Sequence, residues 1–118
     1  MRLRQWPVEQ VFVYREPCDM RKSIDGLAAL VELEMVLSPF QPALFVFCNR
    51  QRDKVKLLYW ESNGFVLWYK RLEKQRFKWP KHLSELSIQQ LSWLLDGIDI
   101  ERLTPHSPLQ FNTVMSPA

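Results

Sequence analysis

Asp19 and Asp25 are the carboxylates to test first for catalysis, because they enclose two cations in "DMRKSIDG" (19–26). Metal-assisted phosphoryl transfer needs two or three carboxylates converging on one point. Side chains six positions apart on a helix diverge by about 120°, so this pair does not converge. Nothing in the sequence brings Asp53 to them. His82 follows "WPK" in a loop, and His106 sits among the prolines of the tail. Neither lies beside a nucleophile, and Ser23, Ser38 and Ser62 lack a G-x-S-x-G setting. Three glycines cannot build a phosphate-cradling loop. Cys18 and Cys48 make no C-x-x-C and no metal-ligand spacing, and are expected to be reduced thiols. The expectation is a protein without enzymatic activity, metal or cofactor.

The cations are more informative than the acids. Net charge is +3, but residues 1–49 sum to −1, residues 50–82 to +7 and residues 83–118 to −3. A basic middle between acidic flanks marks an anion-facing surface. Its candidate DNA contacts are Arg50, Arg52, Lys54, Lys56, Lys70, Arg71, Lys74, Arg76 and Lys78. The stretch "GFVLWYKRLEKQRFKWP" (64–80) interleaves such cations with aromatic rings. Cations alone suit duplex phosphates, whereas aromatic platforms ringed by cations suit single strands. Trp60 and Tyr69 are the candidate stacking or partner-contact residues. Arg21, Lys22 and Asp25 share the polar half of a predicted helix. They either form a local ion pair, Arg21 to Asp25, or reach a phosphate or a protein partner.

These residues must be positioned by secondary structure. "QVFVYRE" (10–16) reads as a strand ended by Pro17. Met20, Ile24, Leu27, Ala28, Val31 and Met35 then fall on one helical face, which predicts a helix starting at Cys18 or Asp19. Gly26 inside it allows a close approach by another element. "SPFQP" (38–42) breaks the chain, and "ALFVFC" (43–48) reads as a central strand, apolar on both faces. "NRQRD" (49–53) is a basic loop and "KVKLLYWE" (54–61) a further strand. "RFKW" (76–79) reads as one more short strand. Ser87 with Gln90 fits a capping box, with Leu86 and Leu91 at staple positions. Ile88, Leu91, Leu95 and Ile98 form the stripe of that helix, and Gly97 its C-terminal cap. The whole predicts a small α+β domain over residues 1–102. An antiparallel meander of three to five strands packs with one helix from the N-terminal half and one C-terminal helix. Residues 103–118 form a proline-containing tail, disordered or strapped on the surface.

Asn63-Gly64 is a strong two-residue hairpin signal. With that turn, Trp60 pairs with Leu67, Leu58 with Tyr69 and Lys56 with Arg71 on one side of the sheet. Tyr59 pairs with Trp68, Leu57 with Lys70 and Val55 with Leu72 on the other, which is the more apolar side and the better core candidate. Opposed cations destabilise a hairpin, so Lys56 facing Arg71 makes sense beneath an anion. The alternative is that Trp60, Leu58 and Tyr69 pack under a helix while the lysines snorkel to water.

No apolar run approaches the roughly 18 residues of a membrane span, and "MRLRQWPVEQ" has no apolar signal-peptide core. A cytoplasmic bacterial protein is the expectation.

The motifs D-M-R-K-x-x-D-G-L, F-V-F, K-x-L-x-W, G-x-x-L-x-Y-K-R-L and F-x-W-P recur in a known order. They are carried by Asp19, Met20, Arg21, Lys22, Asp25, Gly26, Leu27, Lys56, Trp60, Gly64, Tyr69, Lys70, Arg71, Leu72, Phe77, Trp79 and Pro80. Over about residues 10–100 the chain resembles the TnpB-type accessory proteins, products of the second reading frame of the sixty-six family of bacterial insertion sequences. Relatives often carry Thr where this chain has Cys18. The resemblance implies a role in transposition beside a separate, larger transposase that carries the catalytic carboxylates. It supplies no molecular activity. DNA binding is therefore expected from the charge map, and the alternative is an adaptor that binds the transposase without touching DNA.

Overall fold

A strand built from "ALFVFC" needs apolar cover on both faces. It forms β2 (Ala43–Cys48), buried at all six positions and central in a five-stranded sheet. The structure is a computed structural model and describes residues 8–103. The sheet order is β4 (Gly64–Arg71), β3 (Lys54–Glu61), β2, β1 (Gln10–Val13), β5 (Glu85–Leu86). Helix α1 (Ile24–Leu33) covers one face, where Leu27 and Val31 pack with Phe45, Phe47 and Leu58. Helices α2 (Ile88–Leu95) and α3 (Ile100–Leu103) serve the other face, where Leu91, Leu95 and Ile100 join Leu44, Val46 and Leu57. The α+β class stands, with the sheet mostly antiparallel. Both sides of the hairpin are core, not one alone.

The sheet is not a pure meander. β1 and β2 are parallel, because the connection between them carries α1 across the sheet and returns the chain in the same direction. Strand β5 lies antiparallel to β1 through Val11–Leu86 and Phe12–Glu85. "RFKW" is not a strand. It is a loop whose Phe77 and Trp79 are buried, and sheet formation falls instead to "EL" after it.

Helix α1 starts later than its apolar periodicity predicts. Asp19 folds its carboxylate onto the Arg21 N–H at 2.9 Å, and Lys22 N–H reaches Asp19 O at 3.1 Å. A short acidic side chain that satisfies the backbone locally competes with the helix. Residues 19–22 therefore form a turn, and Ser23 takes the N-cap position without a side-chain cap bond. Neither Cys18 nor Asp19 starts the helix. The close approach at Gly26 is made by the chain's own Lys22 side chain, 3.3 Å from where a Cβ would lie.

The capping box of α2 forms as predicted, Ser87 Oγ accepting from Gln90 N–H and Gln90 Oε1 from Ser87 N–H. Gly97, at φ +85, closes the helix. Its N–H donates to Leu94 O and that of Ile98 to Trp93 O, the paired bonds of a Schellman end. Ile98 thus lies beyond the helix and is exposed, and buried Ile100 in α3 takes the place the stripe assigned to it. The prolines of the tail lie outside the described residues.

The hairpin register differs by two residues from the expected one. Lys54 pairs with Arg71, Lys56 with Tyr69, Leu58 with Leu67 and Trp60 with Phe65. Ser62 (φ +51) and Asn63 make the turn, and Gly64 is already in β4. Side chains alternate with a period of two, so this displacement leaves each on its expected face. It removes the predicted juxtaposition of Lys56 and Arg71 and sets apolar pairs together near the tip.

Candidate nucleic-acid interface

Strand register assigns each loop to one of two ends of the sheet. At the first end β2 closes on Cys48, β3 opens at Lys54 and β4 closes on Arg71. The 19–22 turn joins this end, since Cys18 N–H bonds Cys48 O at 2.8 Å. The segment after β4 joins it through Leu72 N–H to Asp53 O and Phe77 N–H to Arg52 O, both 2.7 Å. Of the sixteen Lys and Arg, Arg2 and Arg4 lie outside the described residues. The other fourteen lie in stretches that these bonds, the Arg15–Lys81 contact and the shared lining of Arg15, Arg52 and Arg102 bring to this end, and residues 23–49, 57–69 and 82–101 hold no Lys or Arg.

Asn49 organises the loop that carries Arg50 and Arg52. It is 6% exposed. Its Oδ1 accepts from Asp53 N–H at 3.1 Å and Lys54 N–H at 3.0 Å, and its Nδ2 donates to Asp53 Oδ1 at 2.6 Å. That bond, made by the Asn49 amide, keeps the Asp53 carboxyl below its ordinary pKa. Arg52 adopts φ +61 and lays its guanidinium 5.8 Å from the Trp79 ring centroid.

Two of the larger grooves among the described residues open at this end. One, of about 820 Å³, is lined by Arg15, Arg52, Lys78, Trp79, Lys81 and Arg102, with Glu16, Asp99 and Glu101 as counter-charges. Glu101 fixes its floor by accepting from Lys81 N–H at 3.1 Å and His82 N–H at 2.8 Å. Arg15 Nη1 donates to Lys81 O at 2.9 Å. The other groove, of about 640 Å³, lies between the 19–22 turn, Arg50, Gln51, Lys54 and Tyr69.

The predicted contacts do not all present free charge. Lys56 Nζ donates to Met20 O and Lys22 O, each at 2.8 Å, and so caps the turn before α1. Lys70 Nζ donates to Leu95 O at 2.9 Å, at the negative end of α2. Arg71 pairs with Glu73 at 2.8 Å, and Lys54 lies 3.9 Å from Asp53. Those acids offset the opposition of Lys54 and Arg71 across the hairpin. Arg76 Nη1 makes a 3.3 Å bond to Gln75 O. Arg50, Lys74 and Lys78 are exposed, with no side-chain partner among the described residues.

The Arg21–Asp25 pair is not formed. Arg21 is held instead by Asp19, through Nε to both carboxylate oxygens and Nη2 to Oδ2 at 2.7 Å. These bonds hold the Asp19 pKa down at about 2. Lys22 and Asp25 are exposed nearby. Trp60 and Tyr69 do not form one platform. Tyr69 stands at the cationic end, its ring centroid 5.7 Å from Lys56 Nζ. Trp60 packs at the hairpin tip against Phe40 and Phe65, with centroids 5.1 and 5.0 Å away. Burial pushes the Cys48 thiol up to about 11 and raises that of Cys18.

Arg15, Asn49, Lys81, Glu101 and Arg102 were not predicted at this end. Lys81 closes the basic stretch 50–82 but follows Pro80 outside the predicted strands, while Arg15 and Arg102 stand apart from other cations in sequence and give no local signal. Asn49, between an apolar strand and a basic loop, did carry one, since Asn is a turn-forming residue.

Strand order and the charged end together define a small α+β domain with a mixed sheet and its described cations at one end. Its sequence places it among known proteins: the chain belongs to the IS66 Orf2-like family, whose model matches residues 9–105. It is similar to two uncharacterized proteins of Sinorhizobium fredii. Protein y4jC is 30% identical over 97 residues, 80% of this chain and 83% of the relative. Protein y4hO is 36% identical over 93 residues, 76% of this chain and 81% of the relative. No solved structure matches the chain. Membership of this family points to an accessory role in transposition. No helix among the described residues is long and apolar enough to cross a membrane.

Proposed function

We propose that the protein is a non-catalytic accessory factor that binds DNA through the cationic end of its sheet during transposition of an insertion sequence. The observation that carries this reading is the gathering of fourteen cations, from five separate stretches of chain, onto one end. Arg50, Lys74 and Lys78, exposed and unpaired among the described residues, are its best phosphate contacts. Arg52, Arg76 and Arg71 support them, while Lys56 and Lys70 hold the frame. Binding to insertion-sequence end DNA and to random DNA across a salt series tests it. A steep fall of affinity with salt is expected. Absence of binding at low salt defeats it.

A second reading, an adaptor for the transposase, draws on the opposite end, where Leu33 and Val36 are each 79% exposed and Phe40 is 54% exposed. Co-purification with transposase in high salt, without nucleic acid, would favour it. Failure to co-purify at any salt would count against it.

A further inference from the structure

The groove beside Tyr69 offers more than phosphate binding needs. Pro17, Cys18 and Met20 line it as an apolar wall, Arg21, Arg50 and Lys54 as cations, and Gln51 as an amide. Tyr69 is 49% exposed, its backbone is paired in β4 opposite Lys56, and Lys56 Nζ lies 5.7 Å from its ring centroid, so the ring is held near a cation while it stays open to solvent. At about 640 Å³ the groove falls within the size range of small-ligand sites.

We infer that this groove holds an unpaired nucleotide of single-stranded DNA, its base against Tyr69 and its flanking phosphates on Arg50 and Lys54. The inference rests on the DNA-binding reading above and names its ligand class. In a duplex the base faces are stacked away, so an aromatic ring gains little from them; in a single strand every base offers one. Duplex readers usually insert a helix or a two-stranded ribbon into the major groove. Among the described residues neither projects from the cationic end, since α1 and α2 pack their apolar residues against the sheet. Helix α3 has four residues, and the β3–β4 tip, Glu61 to Gly64, lies at the other end without a cation. Arg21 completes the rim. Asp19 engages its Nε and Nη2 while the side chain remains 92% exposed, which leaves Nη1 for a second phosphate.

The experiment measures affinity of the full chain for labelled oligothymidine and for a duplex of equal length at one salt concentration. Wild type, Tyr69→Ala, Tyr69→Phe and Arg50→Glu are compared. The expected result is that Tyr69→Ala lowers the ratio of single-strand to duplex affinity about tenfold, the loss of one stacked base, and that Tyr69→Phe restores it. Arg50→Glu should weaken both ligands. An unchanged ratio in Tyr69→Ala, or wild type that binds duplex and not oligothymidine, overturns the single-strand site and leaves the cationic end as a duplex surface. Wild type that binds neither overturns the DNA-binding reading itself.

Discussion

At one end of the sheet, loops, strand ends and the short α3 from five parts of the chain carry every described Lys and Arg. At the other, the exit of α1 and the β3–β4 tip expose Leu33, Val36 and Phe40 among Glu32, Glu34 and Glu61. The same strands run into both ends, so the strands cannot account for the difference. The cationic end is held by directed bonds: Asn49 within its loop, Lys56 on the turn carbonyls, Lys70 on the end of α2. The apolar end is held by ring contacts among Phe40, Trp60 and Phe65, and it tolerates Val36 at φ +56. A β-branched residue there is a backbone outlier, and such strain persists only where surrounding structure enforces it. Directed bonds fix charges that repel one another. Ring contacts need no such directional partners, and they leave apolar surface exposed at their margin.

Charge reversal should separate the two ends most strongly. Arg50→Glu/Lys74→Glu/Lys78→Glu is expected to weaken DNA binding by roughly a hundredfold or more at low salt and to reduce the salt slope by about two to three. Fluorescence anisotropy across a salt series reads both quantities, and an unchanged slope would show that the charged end does not meet phosphate. Asn49→Ala leaves the Asp53 and Lys54 amides without their acceptor. A loss of about 2–3 kcal/mol in urea unfolding is expected, with hydrogen exchange rising first in residues 49–54. Lys56→Met keeps the aliphatic stem and removes two charged bonds to carbonyls. It should cost about 1–2 kcal/mol of stability while changing DNA affinity far less than the triple reversal. An equal loss of DNA affinity would move Lys56 from the frame to the contact surface. At the opposite end, Val36→Asn relieves the left-handed strain and should raise stability by about 1 kcal/mol, with DNA affinity unchanged.

The smallest effect concerns the Asp19–Arg21 pair. The folded pKa of Asp19 is about 2, below the ordinary 3.8. Its contribution to stability is therefore present above about pH 3.8 and lost as pH falls toward 2. Wild type and Asp19→Asn should differ in urea midpoint near neutral pH and converge in acid. A gap that stays constant with pH would mean that the carboxylate acts only through turn geometry.

Much of this was legible in the chain. The double-sided apolarity of "ALFVFC" announced a central strand covered on both faces, and Ser87, Gln90 and Gly97 marked both ends of α2. The hairpin faces were also correct despite a register displaced by two, because the side-chain period forgives an even displacement and not an odd one. The errors share a cause. The start of α1 followed apolar spacing, which cannot see Asp19 capturing a neighbouring N–H. The parallel pairing of β1 and β2 depends on where a long connection lands. The Lys56–Arg71 pair depended on a turn chosen from Asn63-Gly64, when Ser62 and Asn63 make it.

The sequence by itself determined a basic, aromatic stretch in residues 50–82, a stretch of apolar residues and acids in residues 24–42, and the family to which they belong. Only the tertiary structure decided which of them meet. It brought Arg15, Lys81 and Arg102 beside Arg52, turned Lys56 and Lys70 inward to backbone carbonyls, and separated Tyr69 from Trp60. The physical reason is that charge and hydropathy belong to residues and can be read one at a time. Proximity comes from strand register and crossover, and these are set by burial summed over the whole sheet.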